Sequence, residues 1–251
     1  MKVSVSIYSD RGASELGTAS LEMVFEGKSQ FYVKKVTADD ILNGVLDKTD
    51  IFIMPGGADL PYCERLNGKG NEKIRKFVER GGTYIGICAG AYYACRRIRF
   101  KGRDYSVMGD RELGFFEGTA KGSLPFLTDG NYYSDNGAES KAMIPLKFRG
   151  KIYDGYFYYH GGPVFIPDSV ADSGHKVIAR YTDNTPAIVK GKIGKGSYLL
   201  SGVHFEIQAE VYRKYILGKS KGKDREKEEA ICNYLEDGYG SRIWKEVFPT
   251  F

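Results

Sequence analysis

Apolar and polar residues alternate at the start of the chain, over Lys2–Tyr8, with Val3, Val5 and Ile7 on one side. That two-residue period predicts a strand. The period then lengthens: Leu16, Ala19, Leu21, Met23 and Val24 form a rough helical stripe over Ser14–Glu26, with Ser14 placed to cap it. Phe31–Val36 reads as a second strand. Thr37-Ala-Asp-Asp40 resembles a capping box, with Asp in place of the usual Glu, ahead of Ile41, Leu42 and Val45. Asp50–Met54 is a short apolar strand stopped by Pro55-Gly56-Gly57. Glu72–Arg80 carries Ile74, Phe77 and Val78 on one helical side and ends at Gly81-Gly82. Thr83–Ile87 is a further strand, and Ala89–Arg96 begins a further helix. Strands and helices in alternation predict an α/β fold of three layers, a mostly parallel central sheet with helices on both faces. Ile51–Met54, apolar throughout, suits a strand buried on both sides.

The rhythm breaks between Ile98 and Asp172, where Gly and Tyr dominate and helical stripes vanish. This segment, 98–172, reads as short strands and loops inserted onto the sheet. Regular strands return at Val177–Tyr181, Ala187–Lys190 and Ser197–Ser201, followed by a helix over Phe205–Ile216. Lys219–Glu229 is densely charged and reads as a solvated connection into a helix ending near Leu235. With no repeat and no second core in the pattern, residues 1–251 are expected to form one domain with a helical C-terminal extension over 219–251.

Composition narrows the function classes. The chain is 42% hydrophobic and 27% charged with 32 Gly and 8 Pro, which excludes collagen-like and disordered classes. A net charge of +5, spread along the chain, is too diffuse to argue for nucleic acid. No apolar run approaches the length that spans a bilayer, and the start lacks the apolar core of a signal peptide. A cytoplasmic protein with reduced thiols is the expectation. The four cysteines, Cys63, Cys88, Cys95 and Cys232, and the three histidines, His160, His175 and His204, show no metal-ligand spacing. No metal and no cofactor are expected. Gly191–Ser197 faintly resembles a phosphate loop but lacks Lys after its second Gly, so a turn between strands is the better reading.

Gly86-Ile-Cys-Ala-Gly90 carries the sharpest chemical signal. A G-x-nucleophile-x-G turn between a strand and a helix lifts its central residue above the sheet edge. Cys88 is then the candidate nucleophile, at a helix N-terminus that favours thiolate, and the Ala89 N–H is free for an oxyanion. A buried packing cysteine is the bland alternative. Gly57 in the preceding strand's turn offers a second oxyanion donor. In Gly202-Val-His-Phe-Glu206, His204 and Glu206 are two apart and face one way in extended chain. His204 then serves as general base and acid, oriented by Glu206.

These residues resemble the class I glutamine amidotransferase-like superfamily. Within it, the chain is similar to the biotin-protein ligase N-terminal domain family, through Met54–Tyr62, Leu66–Asn71, Ile74–Val78, Gly81–Tyr93, Gly109–Leu113, Gly118–Ala120, Tyr158–Pro163 and Leu200–Glu206. The resemblance implies a flavodoxin-like fold and a Cys88–His204–Glu206 triad. Two positions depart from the pattern: Phe205 stands where Pro is usual between His and Glu, and His160 where Asn is frequent. Biotin ligation needs a basic glycine-rich loop of G-R-G-R type for the adenylate; no segment of that type is in this sequence, so ligase activity is not expected.

Further substrate-binding candidates surround the triad. Gly56 belongs to the oxyanion turn and Tyr92 to the nucleophile motif. Asp59 and Tyr62 would overhang Cys88, a solvated loop being the alternative. Arg111 would grip a carboxylate or join Asp110 and Glu112 in ion pairs that hold the insertion. Tyr159, His160, Gly161 and Gly162 bring a second imidazole and close-approach glycines near the pocket. Glu15 is a second-choice carboxylate for Cys88. Cys63, Cys95 and Cys232 are assigned to packing. The reading is a cysteine amidohydrolase or amidotransferase-like protein acting on a small amide, with a separate synthase or ligase chain for any nitrogen transfer. A metabolite-binding or regulatory module, or a redox-sensing thiol, are the other readings.

Overall fold

The structure is a computed structural model and describes residues 2–169 and 174–248. Strand β1 (Val3–Tyr8) leads into α1 (Glu15–Phe25), whose first turn is capped by the Ser14 hydroxyl accepting from the Gly17 N–H. β2 (Phe31–Val36) and α2 (Ala38–Leu42) follow, with the Thr37/Asp40 capping box formed. Next come β3 (Ile51–Met54), α3 (Asp59–Leu66), α4 (Lys69–Glu79), β4 (Thr83–Ile87) and α5 (Ala89–Tyr93). The expected insertion holds β5 (Cys95–Lys101), β6 (Ser106–Asp110), β7 (Phe116–Gly122), β8 (Ala142–Phe148), β9 (Lys151–Tyr159) and β10 (Val164–Pro167). The chain continues through β11 (His175–Arg180), β12 (Pro186–Ile193), β13 (Gly196–Ser201), α6 (Ala209–Tyr215), α7 (Gly222–Glu236) and α8 (Ser241–Val247). Residues 170–172 of the insertion and 249–251 of the extension lie outside the described residues.

The main sheet runs β2-β1-β3-β4-β13-β12-β11-β8-β9. It is mixed, which corrects the expectation of a mostly parallel sheet. The junctions from β2 to β13 are parallel, and those from β13 to β9 are antiparallel. The reason is local. A parallel neighbour needs a long crossover, whereas β12 and β13 are joined by the tight turn at Gly194, with Ile193 opposite Gly196. The insertion is also divided. β8 and β9 extend the main sheet, while β10-β7-β5-β6 form a second sheet.

Alternate side chains of the central strands enter different cores. Ile53, Ile85 and Ile87 join Leu21 and Val24 of α1 on one face. Phe52, Met54 and Tyr84 join Ile74, Phe77 and Val78 of α4 on the other. Burial on both faces is what the continuous apolar runs require. Three helical expectations shift, the one over Phe205–Ile216 shortening to Ala209–Tyr215. The helix after Cys88 ends at Tyr93, because Arg97-Ile-Arg-Phe-Lys101 alternates as a strand. The charged segment 219–229 is mostly helix rather than a solvated connection, and its Glu228 is buried against Lys141 and Tyr212. Among the described residues, no helix is long and apolar enough to cross a membrane.

Candidate active site

Three neighbouring parallel strands bring the chemistry together. Met54 of β3 pairs with Gly86 of β4, and Ile87 of β4 with Ser201 of β13, so all three strands end at one edge. Loops leaving the carboxyl ends of adjacent parallel strands share a crevice. They carry Gly56-Gly57, Cys88 and His204.

Cys88 adopts φ 49°, ψ −107°, in the left-handed half of backbone space that residues other than glycine rarely occupy. Hydrogen bonds hold it there: its N–H donates to Ser201 O at 2.9 Å, and its carbonyl accepts from the Ala91 and Tyr92 N–H groups, each at 2.9 Å. The motif's glycines are required by close approach. A Cβ on Gly86 would lie 2.5 Å from Gly90 O, and one on Gly90 would lie 2.1 Å from Met54 O. On Gly56 it would lie 2.6 Å from His204 Cε1 and 3.5 Å from Cys88 Cβ. Gly56 therefore packs directly against the thiol and the imidazole. Gly57 holds φ 138°, with Gly12 O in the space a Cβ would fill. The N–H groups of Gly57 and Ala89 donate to no other described residue.

His204 is fixed at both ends. Its N–H donates to Tyr158 O at 2.8 Å, and its Nδ1 lies 2.8 Å from Glu206 Oε1. Glu206 is fully buried, and its Oε2 has no hydrogen-bond partner. With Nδ1 committed to Glu206, Nε2 is the ring nitrogen left for the Cys88 sulfur. Burial alone would lower the His204 pKa. The Glu206 carboxylate and Cys88 sulfur outweigh it and push the value up to about 10. A five-residue α5 supplies little helix dipole, so the imidazolium is the main positive charge beside the thiol. Phe205 is buried and packs edge-on to Trp244 of α8, with ring centroids 4.8 Å apart.

A cavity of about 350 Å³ opens over Cys88. Gly57, Asp59, Ala89, Tyr92, His160 and Gly161 line it, as does His204. Gly56 sits beneath, between thiol and imidazole. The remaining candidates lie elsewhere, for identifiable reasons. The Tyr62 hydroxyl donates behind the oxyanion turn to Pro55 O and Gly56 O, at 3.1 and 3.2 Å, because α3 turns its ring into the core. Arg111 is buried beside Asp59 at 2.7 Å, while Glu112 accepts from Gly68 N–H and Asn71. The Asp110–Glu112 segment is thus a brace for the second sheet. Tyr159 accepts from Leu124 N–H and donates to Gly162 O, outside the cavity. A Cβ on Gly162 would meet Gly202 O at 1.9 Å, so the close approach there is chain on chain. Glu15 is exposed on α1 and does not line the cavity.

His160 presents its backbone carbonyl to the Cys88 sulfur at 3.6 Å. Its Nε2 lies 3.1 Å from Ser134 O and 3.2 Å from Ser140 Oγ. Burial, with Lys141 nearby, pushes its pKa down to about 3, so the ring stays neutral at ordinary pH. Among the other cysteines, burial pushes Cys63 up to about 11, and Cys95 and Cys232 also rise through burial. The cavity also contains Phe100, Tyr105, Val107, Tyr133 and Tyr158, which the sequence does not single out as a set. A readable signal exists only for β5, whose alternation sends Ile98 and Phe100 inward and Arg97 and Arg99 outward. Among the described residues, no group of three or more His, Cys, Asp or Glu is placed to hold a metal ion.

The family described as "Biotin-protein ligase, N terminal" matches residues 3–243. The chain belongs to this biotin-protein ligase N-terminal family. One relative of this family member is the biotin–protein ligase of Schizosaccharomyces pombe, 33% identical over 220 residues. That match covers 83% of this chain and 34% of the yeast protein, so the family member spans about a third of that relative. An uncharacterized protein of Chlamydia muridarum is 31% identical over 214 residues, 80% of each chain. In fold, the family member is similar to a glutamine amidotransferase from Thermotoga maritima, with a TM-score of 0.58 and 99% of each chain covered. At 13% identity that likeness is one of fold.

Proposed function

We propose that this protein is a cysteine-dependent amidohydrolase of amidotransferase type, acting on a small amide through Cys88, His204 and Glu206 on a flavodoxin-like scaffold. The observation that carries the proposal is the meeting of three things at one sheet edge. These are a cysteine on a strained, glycine-flanked turn, a histidine whose Nδ1 is held 2.8 Å from a buried carboxylate, and two unpaired backbone N–H groups. The Cys88 thiolate attacks the amide carbon, and the carbonyl pair moves onto oxygen, where Gly57 and Ala89 N–H groups stabilise the charge. His204 donates its proton to the nitrogen as the C–N bond breaks, leaving a thioester on Cys88. His204 then takes a proton from water, whose oxygen attacks the thioester and releases the acid and the thiolate. Glu206 keeps the imidazole in the required tautomer throughout. The basic glycine-rich loop of G-R-G-R type that serves a biotinyl-adenylate site is not in the sequence, and biotin ligation is not part of the proposal.

The test is a panel of primary amides followed by ammonia release, with acid quench and peptide mass analysis. The proposal expects an acyl mass on the Cys88 peptide, and turnover lost in Cys88→Ala by roughly a thousandfold or more. A small molecule that stabilises Cys88→Ala and the native chain equally, with no amide turned over, would instead establish the binding-module reading.

A further inference from the structure

Substrate choice is written in what the cavity wall lacks. Among the described residues, and apart from the His204–Glu206 pair, its one ionisable carboxyl is Asp59, and Asp59 faces the Arg111 guanidinium at 2.7 Å. Neither Lys nor Arg lines the cavity, although the chain holds 37 of them. On β5 the cations face away from it: Arg97 and Arg99 point outward while Ile98 and Phe100 point in. His160 adds no positive charge, because burial keeps it neutral. A carboxylate brought into this space would lose water; the Arg111 guanidinium behind the wall is already held by Asp59, and among the described lining residues only the catalytic imidazole could meet the charge.

What the wall does offer is aromatic surface. Phe100 stands at the centre of an array, with ring centroids 5.8 Å from Tyr92, 5.6 Å from Tyr105 and 5.5 Å from Tyr133. Two of the cavity's tyrosines are already engaged within the protein. Tyr92 donates to Gly161 O at 3.0 Å, and the Tyr158 ring packs edge-on to Tyr212 with centroids 5.5 Å apart. The Tyr92 ring, rather than its hydroxyl, faces a ligand. The volume of about 350 Å³ holds a ring together with a carboxamide.

We infer that the substrate is a neutral carboxamide bearing an aromatic or bulky apolar group, and that amino-acid amides with a free carboxylate, L-glutamine among them, are excluded. The inference rests on Cys88 being the nucleophile of the proposed reaction. The ring packs edge-on or offset against Phe100, Tyr105 and Tyr133, which places the amide carbon between the Cys88 sulfur and the Gly57 and Ala89 N–H groups.

Two alkylating amides with the same reactive end test this directly: N-benzyl-iodoacetamide and 4-(iodoacetamido)butanoate. Each rate at Cys88, read by peptide mass analysis of the full chain, is divided by the same reagent's rate with free glutathione. The benzyl reagent is expected to be faster by roughly tenfold or more, and Phe100→Ala should reduce that advantage severalfold. Val107→Arg, a partly exposed wall position, should restore the butanoate rate while the benzyl rate stays above its value in the urea-unfolded chain, a combination that loss of folding could not produce. In a companion measurement, phenylacetamide should protect Cys88 from iodoacetamide while L-glutamine does not. Butanoate alkylation matching the benzyl rate, or better protection by glutamine, overturns this inference while leaving Cys88 as nucleophile. Alkylation of Cys88 no faster than Cys63 by either reagent overturns the nucleophile and this inference together.

Discussion

At the scale of single residues, the site depends on backbone held where side chains are normally excluded. Cys88 at φ 49° carries a conformational cost of order 1–3 kcal/mol, maintained by its bonds to Ser201, Ala91 and Tyr92. Gly56 is the most sensitive neighbour. Gly56→Ala drives a methyl to 2.6 Å from His204 Cε1, so the ring must leave the thiol. The expected outcome is a fall in iodoacetamide reactivity at Cys88 of roughly tenfold or more, with far-UV circular dichroism unchanged. His160 gives a pH signature. The unfolded chain takes a proton on this ring near pH 6.5, whereas the folded chain resists until about 3. Between those values the unfolded state binds more protons, so stability falls as pH drops below 6.5. Replacing His160 with Asn removes that loss. Urea unfolding at pH 7 and pH 5 should show the native chain losing about 2 kcal/mol more than His160→Asn over this interval.

At the scale of elements, the alternating half of the chain was readable because its strands and helices bury themselves locally. Leu21 and Val24 of α1, or Ile74 and Phe77 of α4, pack on strands adjacent in sequence, so periodicity alone locates them. The proposed Cys88, His204 and Glu206 set occupies two loops, after β4 and β13, which neighbour in the sheet though far apart in sequence, and was read from its motifs. Long-range pairing was not readable. Nothing in Cys95–Lys101 names Phe116–Gly122 as its parallel partner, and nothing in Asp59–Leu66 says that Asp59 will meet Arg111. The tyrosines likewise divide by distant contacts: Tyr62 and Tyr159 support backbone carbonyls, while Tyr105 and Tyr133 line the cavity. Charge density misled at Glu228, since one buried carboxylate among exposed ones leaves no local trace. α8 makes an element-scale prediction. Trp244 contacts Phe25 and Phe205, and Phe205 separates His204 from Glu206. Trp244→Ala should cost about 3–5 kcal/mol in denaturant unfolding, and slow Cys88 alkylation under conditions where the variant remains folded.

At the scale of the whole molecule, the fold splits its work. The parallel half of the main sheet aligns β3, β4 and β13 so that three loops converge, while the antiparallel half and the second sheet build the wall around them. α7 ties that wall to the site: its Glu228 meets Lys141 and Tyr212, and Tyr212 packs edge-on to Tyr158, whose carbonyl accepts from the His204 backbone N–H. Membership of the biotin-protein ligase N-terminal family accounts for this architecture, and the reaction is a matter for Cys88 itself. Competitive alkylation of the native chain by limiting iodoacetamide at pH 7, with every cysteine quantified by peptide mass analysis, addresses it most directly. Cys63 is the more exposed thiol, yet burial holds its pKa near 11, whereas Cys88 faces the His204 imidazolium. The account predicts that Cys88 is modified roughly tenfold or more faster than Cys63, with the advantage lost in His204→Ala. Equal rates, or faster modification of Cys63, would contradict it.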